Sequence, residues 1–494
     1  MSWAPAASAV RWNIQPFVDG RYRTSSASEC VTNSNPATEA ALYQTSVGHA
    51  DDVDAAVRAA RRRFDDGCWS EMPPDKRAES LMRLGQLIIQ HKSEIALLDT
   101  LEMGKPISAS LYDAEQFAPA VLRSYAGFAD KVFGDSAPLT SRRLAVNVYE
   151  PRGVVGAITA WNFPIVNAVI KVAPALAAGN SIVLKPSELS ASSALKLAEL
   201  ALEAGIPPGG FNVVPGLGAT VGVALALHPD VDLLSFTGST ATGRKLQECA
   251  GRSNGKRLLL ECGGKCPEIV FQDVDDLDAV AAATVRGAMF NQGQVCVART
   301  RLLVQQDIKI PLLAKVLARA SDYVPKDPLD EATTFGPLAS ATQRARVAKY
   351  IARGLQEGAD AVLRGAIQET GGCYVAPTIF DRVKGAMSIA QEEIFGPVLC
   401  VQSFASEEEA VRLANDTQYG LAATVWTRDM GRGRRMAHAI RAGSIFIRSS
   451  CQDEDHSPFL LGHEPQKASG FGSELGRQGL ESYSTLKSIS FHGT

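Results

Sequence analysis

Pro151-Arg152-Gly153-Val154-Val155-Gly156-Ala157-Ile158-Thr159-Ala160-Trp161-Asn162-Phe163-Pro164 runs from an apolar stretch into an aromatic turn closed by proline. Val154–Ile158 contains no polar side chain, which suits a strand buried on both faces of a parallel sheet. Residues 165–177 then carry apolar side chains at helical spacing, interrupted by one charge, Lys171. Residues 181–184 read as a second buried strand, and 192–204 as a helix closed by Gly205 and Pro207. Residues 211–214 and 233–236 repeat the strand pattern, and a helix follows Gly243. Strand and helix in this rhythm predict a doubly wound parallel α/β sheet.

Outward from that core, a second α/β segment is expected from about 263 to 466. Its strands are read at 268–271, 301–304 and 398–403, and its first helix at 277–290. Upstream, Asp19-Gly20 marks a hairpin and Asn35-Pro36 a turn. Asp51 reads as the N-cap of a helix bearing Val53, Val57, Ala60 and Phe64, and residues 75–130 are helix-like with a break at Gly104-Lys105-Pro106. Residues 140–151 alternate as a pairing strand does, and 485–491 read as another strand. Internal repeats and low-complexity segments are absent from the sequence.

Composition sets bounds. The chain has 494 residues, of which 46% are hydrophobic and 21% charged, and its formal charge is −3. These are globular values. Without a basic excess, neither nucleic acid nor an anionic membrane surface is expected as a partner. No apolar run reaches the roughly 18 residues of a membrane span, and the N-terminus shows no signal-peptide pattern. Nine cysteines, sparse and odd in number, suit a reducing cytoplasm better than a disulfide scaffold.

Five segments carry chemistry. Gly238-Ser239-Thr240-Ala241-Thr242-Gly243 follows a strand and opens a helix; such a turn can hold a phosphate, although glycine also serves its geometry alone. Lys185-Pro186-Ser187-Glu188 follows another strand, where a Lys and a Glu can bind ribose hydroxyls and a carboxylate repels a 2′-phosphate; a solvated charged loop is the rival reading. Asn162, after Trp161, could donate to an oxyanion. Phe290-Asn291-Gln292-Gly293-Gln294-Val295-Cys296 offers a thiol that is either a nucleophile or a small buried hydrophobe. Leu260-Glu261-Cys262-Gly263-Gly264-Lys265 sets a carboxylate beside paired glycines. Cys262 and Cys266 lack a second Cys/His pair, so a metal site is not expected.

Together these segments resemble the aldehyde dehydrogenase superfamily over essentially the whole chain. The resemblance is carried by PRGVVGAITAWNFP from Pro151, KPSE from Lys185, FTGSTATG from Phe236, LECGGK from Leu260, FNQGQVC from Phe290 and EEIFGPV from Glu392. YGLAATVWTRD from Tyr419 supports it. It implies a Rossmann-like NAD-binding domain (1–130 and 152–262), an α/β catalytic domain (263–479) and a small β oligomerisation element (131–151 and 480–494), assembled as a homodimer or homotetramer. It implies NAD-dependent oxidation of an aldehyde to the acid through a thiohemiacetal and a thioester on Cys296. In that scheme Asn162 and the Cys296 backbone N–H hold the oxyanion, and Glu261 activates water. Lys185 and Glu188 match the adenosine-ribose binders, Gly238 and Ser239 the pyrophosphate contact, and Glu393 the nicotinamide-ribose binder. Trp161 and Phe395 are placed with the cofactor.

For the substrate, the resemblance places Phe163, Asn167, Ile170, Phe290, Val295 and Val297 along an aldehyde tunnel and Arg448 at its mouth. Arg448 would pair with a distal carboxylate, or else neutralise Asp453, Glu454 and Asp455. Those acids, with Asp113 and Glu115, would suit an amino-aldehyde. LEMGKPIS and YVAPTIFDRV are similar to the aminobutyraldehyde and glutamylaminobutyraldehyde dehydrogenases. One departure stands out. Where the family commonly has PFGG-x-K-x-SG, the chain reads Pro458-Phe459-Leu460-Leu461-Gly462-His463-Glu464-Pro465-Gln466-Lys467-Ala468-Ser469-Gly470, without the glycine pair and with about four added residues. A CoA-acylating semialdehyde dehydrogenase is the alternative activity, which Glu261 argues against. Non-catalytic reuse of the fold is another, which Cys296, Asn162 and Glu261 together argue against.

Overall fold

The computed structural model describes residues 3–25, 30–46, 48–140, 143–450 and 461–492. Its first sheet has eight strands in the spatial order Arg21–Tyr22, Phe17–Val18, Phe211–Val213, Ser181–Lys185, Val154–Ile158, Leu233–Thr237, Arg257–Glu261, Gly470–Phe471. The central five are parallel; the antiparallel hairpin Phe17–Val18/Arg21–Tyr22 closes one flank and the antiparallel strand Gly470–Phe471 the other. Strand order reverses between Val154–Ile158 and Leu233–Thr237. In open parallel sheets that reversal opens a crevice at the carboxyl ends, where ligands bind. Trp161-Asn162 and Gly238-Ser239 leave the sheet at this point.

The helix Pro164–Ala177 fits the sheet because nearly its whole surface is apolar; it buries Val169, Val172 and Leu176 completely. Each such side chain contributes about 1.5–3 kcal/mol on burial. Lys171, the charge noted in the sequence, is buried with them. Helices Pro74–Gln90, Lys92–Met103 and Ala118–Phe128 pack on the same face. The 75–130 stretch therefore forms separate helices, with Gly104 in a left-handed turn ending Lys92–Met103.

The second sheet has seven strands in the order Asp360–Arg364, Thr378–Asp381, Val398–Phe404, Arg301–Gln305, Pro267–Val270, Ala422–Trp426, Ser444–Arg448. All but Asp360–Arg364 are parallel to their neighbours. A third sheet joins Ser136–Thr140, Arg143–Pro151 and Ser484–His492, so the chain's end pairs with residues more than three hundred positions earlier. Gly470–Phe471, though late in the chain, adds to the first sheet beside Leu260 and Glu261.

Three local expectations are corrected. Asp51 is not an N-cap: the helix is Ala50–Asp65, and the Asp52 carboxylate accepts from the His49 N–H at 3.0 Å. The helix expected after Gly243 starts at Thr240, because the Ser239 hydroxyl caps it by accepting from the Thr242 N–H at 3.2 Å. Asp113 and Glu115 do not form an acidic mouth. Asp113 is buried in an ion pair with Lys105, and Glu115 pairs with Lys92. Among the described residues no helix is long and apolar enough to cross a membrane.

Candidate active site

Cys296 lies just before the amino end of the Arg301–Gln305 strand, packed against Cys266, Leu421 and Ala422. The backbone leading to it is unusual. Asn291, Gln292 and Gly293 have φ of 50°, 57° and 71°, three consecutive residues in the left-handed region. Two of them are not glycine, and such conformations persist only where surroundings enforce them. Here the Asn291 Nδ2 donates to the Asn162 carbonyl at 2.9 Å, and the Gln294 Oε1 accepts from the Ala339 N–H at 2.9 Å. The thiol is pushed up from its ordinary value by burial, with the Glu393 and Glu261 carboxylates adding to the shift. It is therefore protonated at rest.

Asn162 faces this segment from the first sheet. Its Nδ2 donates to the Gln294 carbonyl at 2.9 Å, and its Oδ1 accepts from Asn167 at 3.1 Å. The amide is thus oriented by a partner on each side, one of which, Gln294, lies two residues before Cys296.

Glu261 ends the Arg257–Glu261 strand, held by backbone pairing with Gly470. It is buried, and burial raises its carboxyl to about 7; the nearby Glu474 adds to the rise while His463 and Lys171 oppose it. Gly263 and Gly264 explain the paired glycines that follow. A Cβ at Gly263 would collide with the Glu393 carboxylate, and one at Gly264 with the Cys296 carbonyl. The two glycines let Glu261, the Cys296 segment and Glu393 converge.

Glu393 accepts from the Gly264 N–H at 3.1 Å, and burial lifts its carboxyl to about 7. Trp161 and Phe395 meet edge to face, with ring centroids 5.3 Å apart. Lys185 is buried and its ammonium is depressed by that burial; it donates to Glu188 at 3.2 Å. A buried ammonium beside a half-exposed carboxylate, both beyond the carboxyl end of a parallel strand, is a donor set that fits two ribose hydroxyls. Ser239 opens a thirteen-residue helix near the strand-order reversal, and Gly238 lies tight against the Phe236 ring. These residues fit a dinucleotide laid across the carboxyl edge of the first sheet.

Of the tunnel residues, Phe163 and Phe290 come together with centroids 6.1 Å apart, and Lys105 lies over the Phe163 ring. Asn167 and Ile170 follow on the Pro164–Ala177 helix, and Val295 and Val297 flank Cys296. Phe290 and Val297 are exposed. Arg448 ends the Ser444–Arg448 strand with its guanidinium over the Trp426 ring. Asp453, Glu454 and Asp455 lie outside the described residues. No cluster that could hold a metal occurs among the described residues.

Three neighbours of the site were not assigned from sequence. Lys171 and Glu474 form a buried ion pair behind Glu261, and His463 approaches Glu261 from the departing 458–470 run. Lys171 did leave a signal, as the one charge in an apolar helix.

The aldehyde dehydrogenase family model matches residues 22–489. The chain belongs to the aldehyde dehydrogenase family. It is an NAD-dependent oxidoreductase that acts on aldehydes. This aldehyde dehydrogenase is 44% identical to the NADP/NAD-dependent aldehyde dehydrogenase PuuC of Escherichia coli (strain K12), over 99% of this chain and 97% of that one. Its fold is similar to that of the P. syringae indole-3-acetaldehyde dehydrogenase AldA, solved with NAD+ and IAA, at a TM-score of 0.96, 42% identity and full coverage of both chains. It is likewise similar to the gamma-glutamyl-gamma-aminobutyraldehyde dehydrogenase from Burkholderia cenocepacia J2315, at a TM-score of 0.95, 41% identity and full coverage of both chains.

Proposed function

We propose that Cys296, Asn162 and Glu261 carry the oxidation of an aldehyde to its carboxylic acid, and that the substrate is an amino-aldehyde of the aminobutyraldehyde type. The observation that carries the reading is the convergence of two strand ends, bearing Asn162 and Glu261, on the Cys296 segment. Cys296 passes its thiol proton to Glu261 as its sulfur adds to the aldehyde carbon, giving a thiohemiacetal, and Glu261 loses that proton to solvent before hydrolysis. One Asn162 N–H is taken by the Gln294 carbonyl; the other, with the Cys296 backbone N–H, stabilises the oxyanion. NAD, when bound, supplies the hydride acceptor. Lys185 and Glu188 would hold its adenosine ribose, Gly238 and Ser239 its pyrophosphate, and Glu393, Trp161 and Phe395 its nicotinamide end. The acyl group left on Cys296 is a thioester, and Glu261 takes a proton from the water that hydrolyses it. A carboxyl poised near 7 suits that task, being ionised enough to accept and basic enough to do so readily. The Glu188 carboxylate, half-exposed beside Lys185, disfavours a 2′-phosphate and so favours NAD over NADP.

The substrate assignment rests on the resemblance of LEMGKPIS and YVAPTIFDRV and on the name of one of the relatives above, the gamma-glutamyl-gamma-aminobutyraldehyde dehydrogenase. The enzyme works as a homodimer or homotetramer through the third sheet, with the first and second sheets as the cofactor and catalytic domains. It resides in the cytoplasm, consistent with eight free cysteines among the described residues. An aldehyde panel followed at the NADH band tests the activity, with aliphatic, aromatic, amino- and carboxy-aldehydes run with and without coenzyme A. Highest kcat/KM is expected for the amino-aldehydes without coenzyme A. Strict dependence on coenzyme A would overturn the hydrolytic reading, and preference for carboxy-aldehydes would overturn the substrate.

A further inference from the structure

His463 belongs to the run in which this chain departs from its family's common pattern. Its main chain pairs with Glu474 in both directions, each N–H donating to the other's carbonyl at 3.0 Å. That pairing fixes the backbone and aims the ring at the base: His463 Nε2 lies 3.5 Å from Glu261 Oε1. The distance is that of an ion pair, slightly beyond a good hydrogen bond. Among the described residues Glu261 Oε1 accepts no hydrogen bond, so a buried carboxylate oxygen is left facing one imidazole. Lys171 and Glu474, paired with each other, act electrostatically on both Glu261 and His463; Lys171 is fully buried. His463 retains 21% side-chain exposure.

We propose that His463 is a positioning residue for the hydrolytic step, receiving from Glu261 the proton taken from water and releasing it to solvent. This rests on reading Glu261 as the base. Water adds to the thioester carbonyl as one of its protons passes to a Glu261 oxygen, and the C–S bond breaks with the electron pair returning to Cys296. The proton then moves from the Glu261 carboxyl to Nε2, and Nδ1–H is lost to water, which restores the neutral imidazole as the other tautomer. Exchange with solvent resets the ring. No oxidant or reductant is required.

The charged and titratable groups around the pair set the sign. Glu474 comes from the segment paired with His463, Lys171 from the Pro164–Ala177 helix, and Cys262 and Cys296 from beside Glu261; Glu464 is turned toward the Gly472 N–H. Burial disfavours the imidazolium, but the Glu261 and Glu474 carboxylates outweigh it and the net shift is upward. A neutral ring biased in this way takes the proton from Glu261 readily, which leaves the carboxylate ionised. Removing the ring leaves burial and Glu474 to hold the carboxyl protonated.

The test is the pH profile of kcat for the NAD-loaded enzyme, between about pH 5.5 and 9, for wild type, His463→Ala, His463→Gln and Glu261→Gln. In both His463 variants the acid limb is expected to move up by about half a pH unit or more, with several-fold loss near neutrality and KM for the aldehyde unchanged. Added imidazole is expected to restore part of the rate in His463→Ala. A structural role would lower kcat evenly across pH, and an acid limb that stays in place overturns the proposal. Should His463→Ala fail to fold, His463→Gln carries the comparison, since it keeps a polar side chain of similar size. Hydrolysis surviving in Glu261→Gln would contradict the base itself. Hydrolysis lost there, with unshifted His463 variants, would contradict this proposal alone.

Discussion

At Cys296 the thiol is kept protonated by burial and by two carboxylates, so the site is quiet until a base accepts its proton. Glu261 is set to about 7 by its own burial, and only its ionised form can act. The rate of hydrolysis is therefore expected to fall about tenfold per pH unit once pH drops well below that value, measured as kcat against pH. The same shift has a stability consequence. A carboxyl whose folded value is raised favours the fold while protonated, and that contribution is lost as pH rises through about 7. Glu261→Gln is expected to raise the unfolding midpoint relative to wild type more at pH 8 than at pH 5. Cys296, Asn162 and Glu261 could be picked out in the sequence as candidates because each sits in a compact local motif, and the fold brings their segments together. Lys171 and Glu474 were not, because their ion pair joins residues 303 positions apart, and one charge in an apolar helix does not name its partner. His463 lies in a run that matches no common pattern, so only its folded position shows what it faces.

Elements matter here through their ends. The parallel strands and their helices could be read from apolar runs and glycine stops, and most boundaries fell within a residue or two of expectation. Caps were less legible: Ser239 rather than a later glycine opens its helix, since a hydroxyl accepting a backbone N–H competes with any reading based on glycine alone. The left-handed run Asn291–Gly293 had no sequence signal beyond Gly293. At that glycine φ is 71°, and an added Cβ would meet the Gly396 carbonyl. Gly293→Ala is expected to cost about 1–2 kcal/mol in backbone conformation, with the clash in addition. Because the strain falls on the nucleophile's own segment, aldehyde oxidation should drop by an order of magnitude or more while the protein remains folded. Steady-state kinetics beside a thermal melt checks both.

Across the whole molecule, two α/β sheets meet at the site, while the third sheet stands apart with little covering it. The strand Ser484–His492 lies at its edge and exposes Leu486 and Phe491, each just over half accessible. A long edge strand with apolar side chains is a template for pairing with another chain. In the proposed oligomer this edge is the interface, so Leu486→Asp is expected to shift sedimentation toward the monomer with the chain still folded; an unchanged sedimentation coefficient would contradict that interface. The central claim, that the reaction passes through an acyl group on one thiol of nine, is tested most directly by acid-quenching the turning-over enzyme with NAD and aldehyde and mapping its peptides by mass. The account predicts an acyl adduct on the Cys296 peptide alone, absent from Cys296→Ala; an adduct on another cysteine, or turnover persisting in Cys296→Ala, would contradict it.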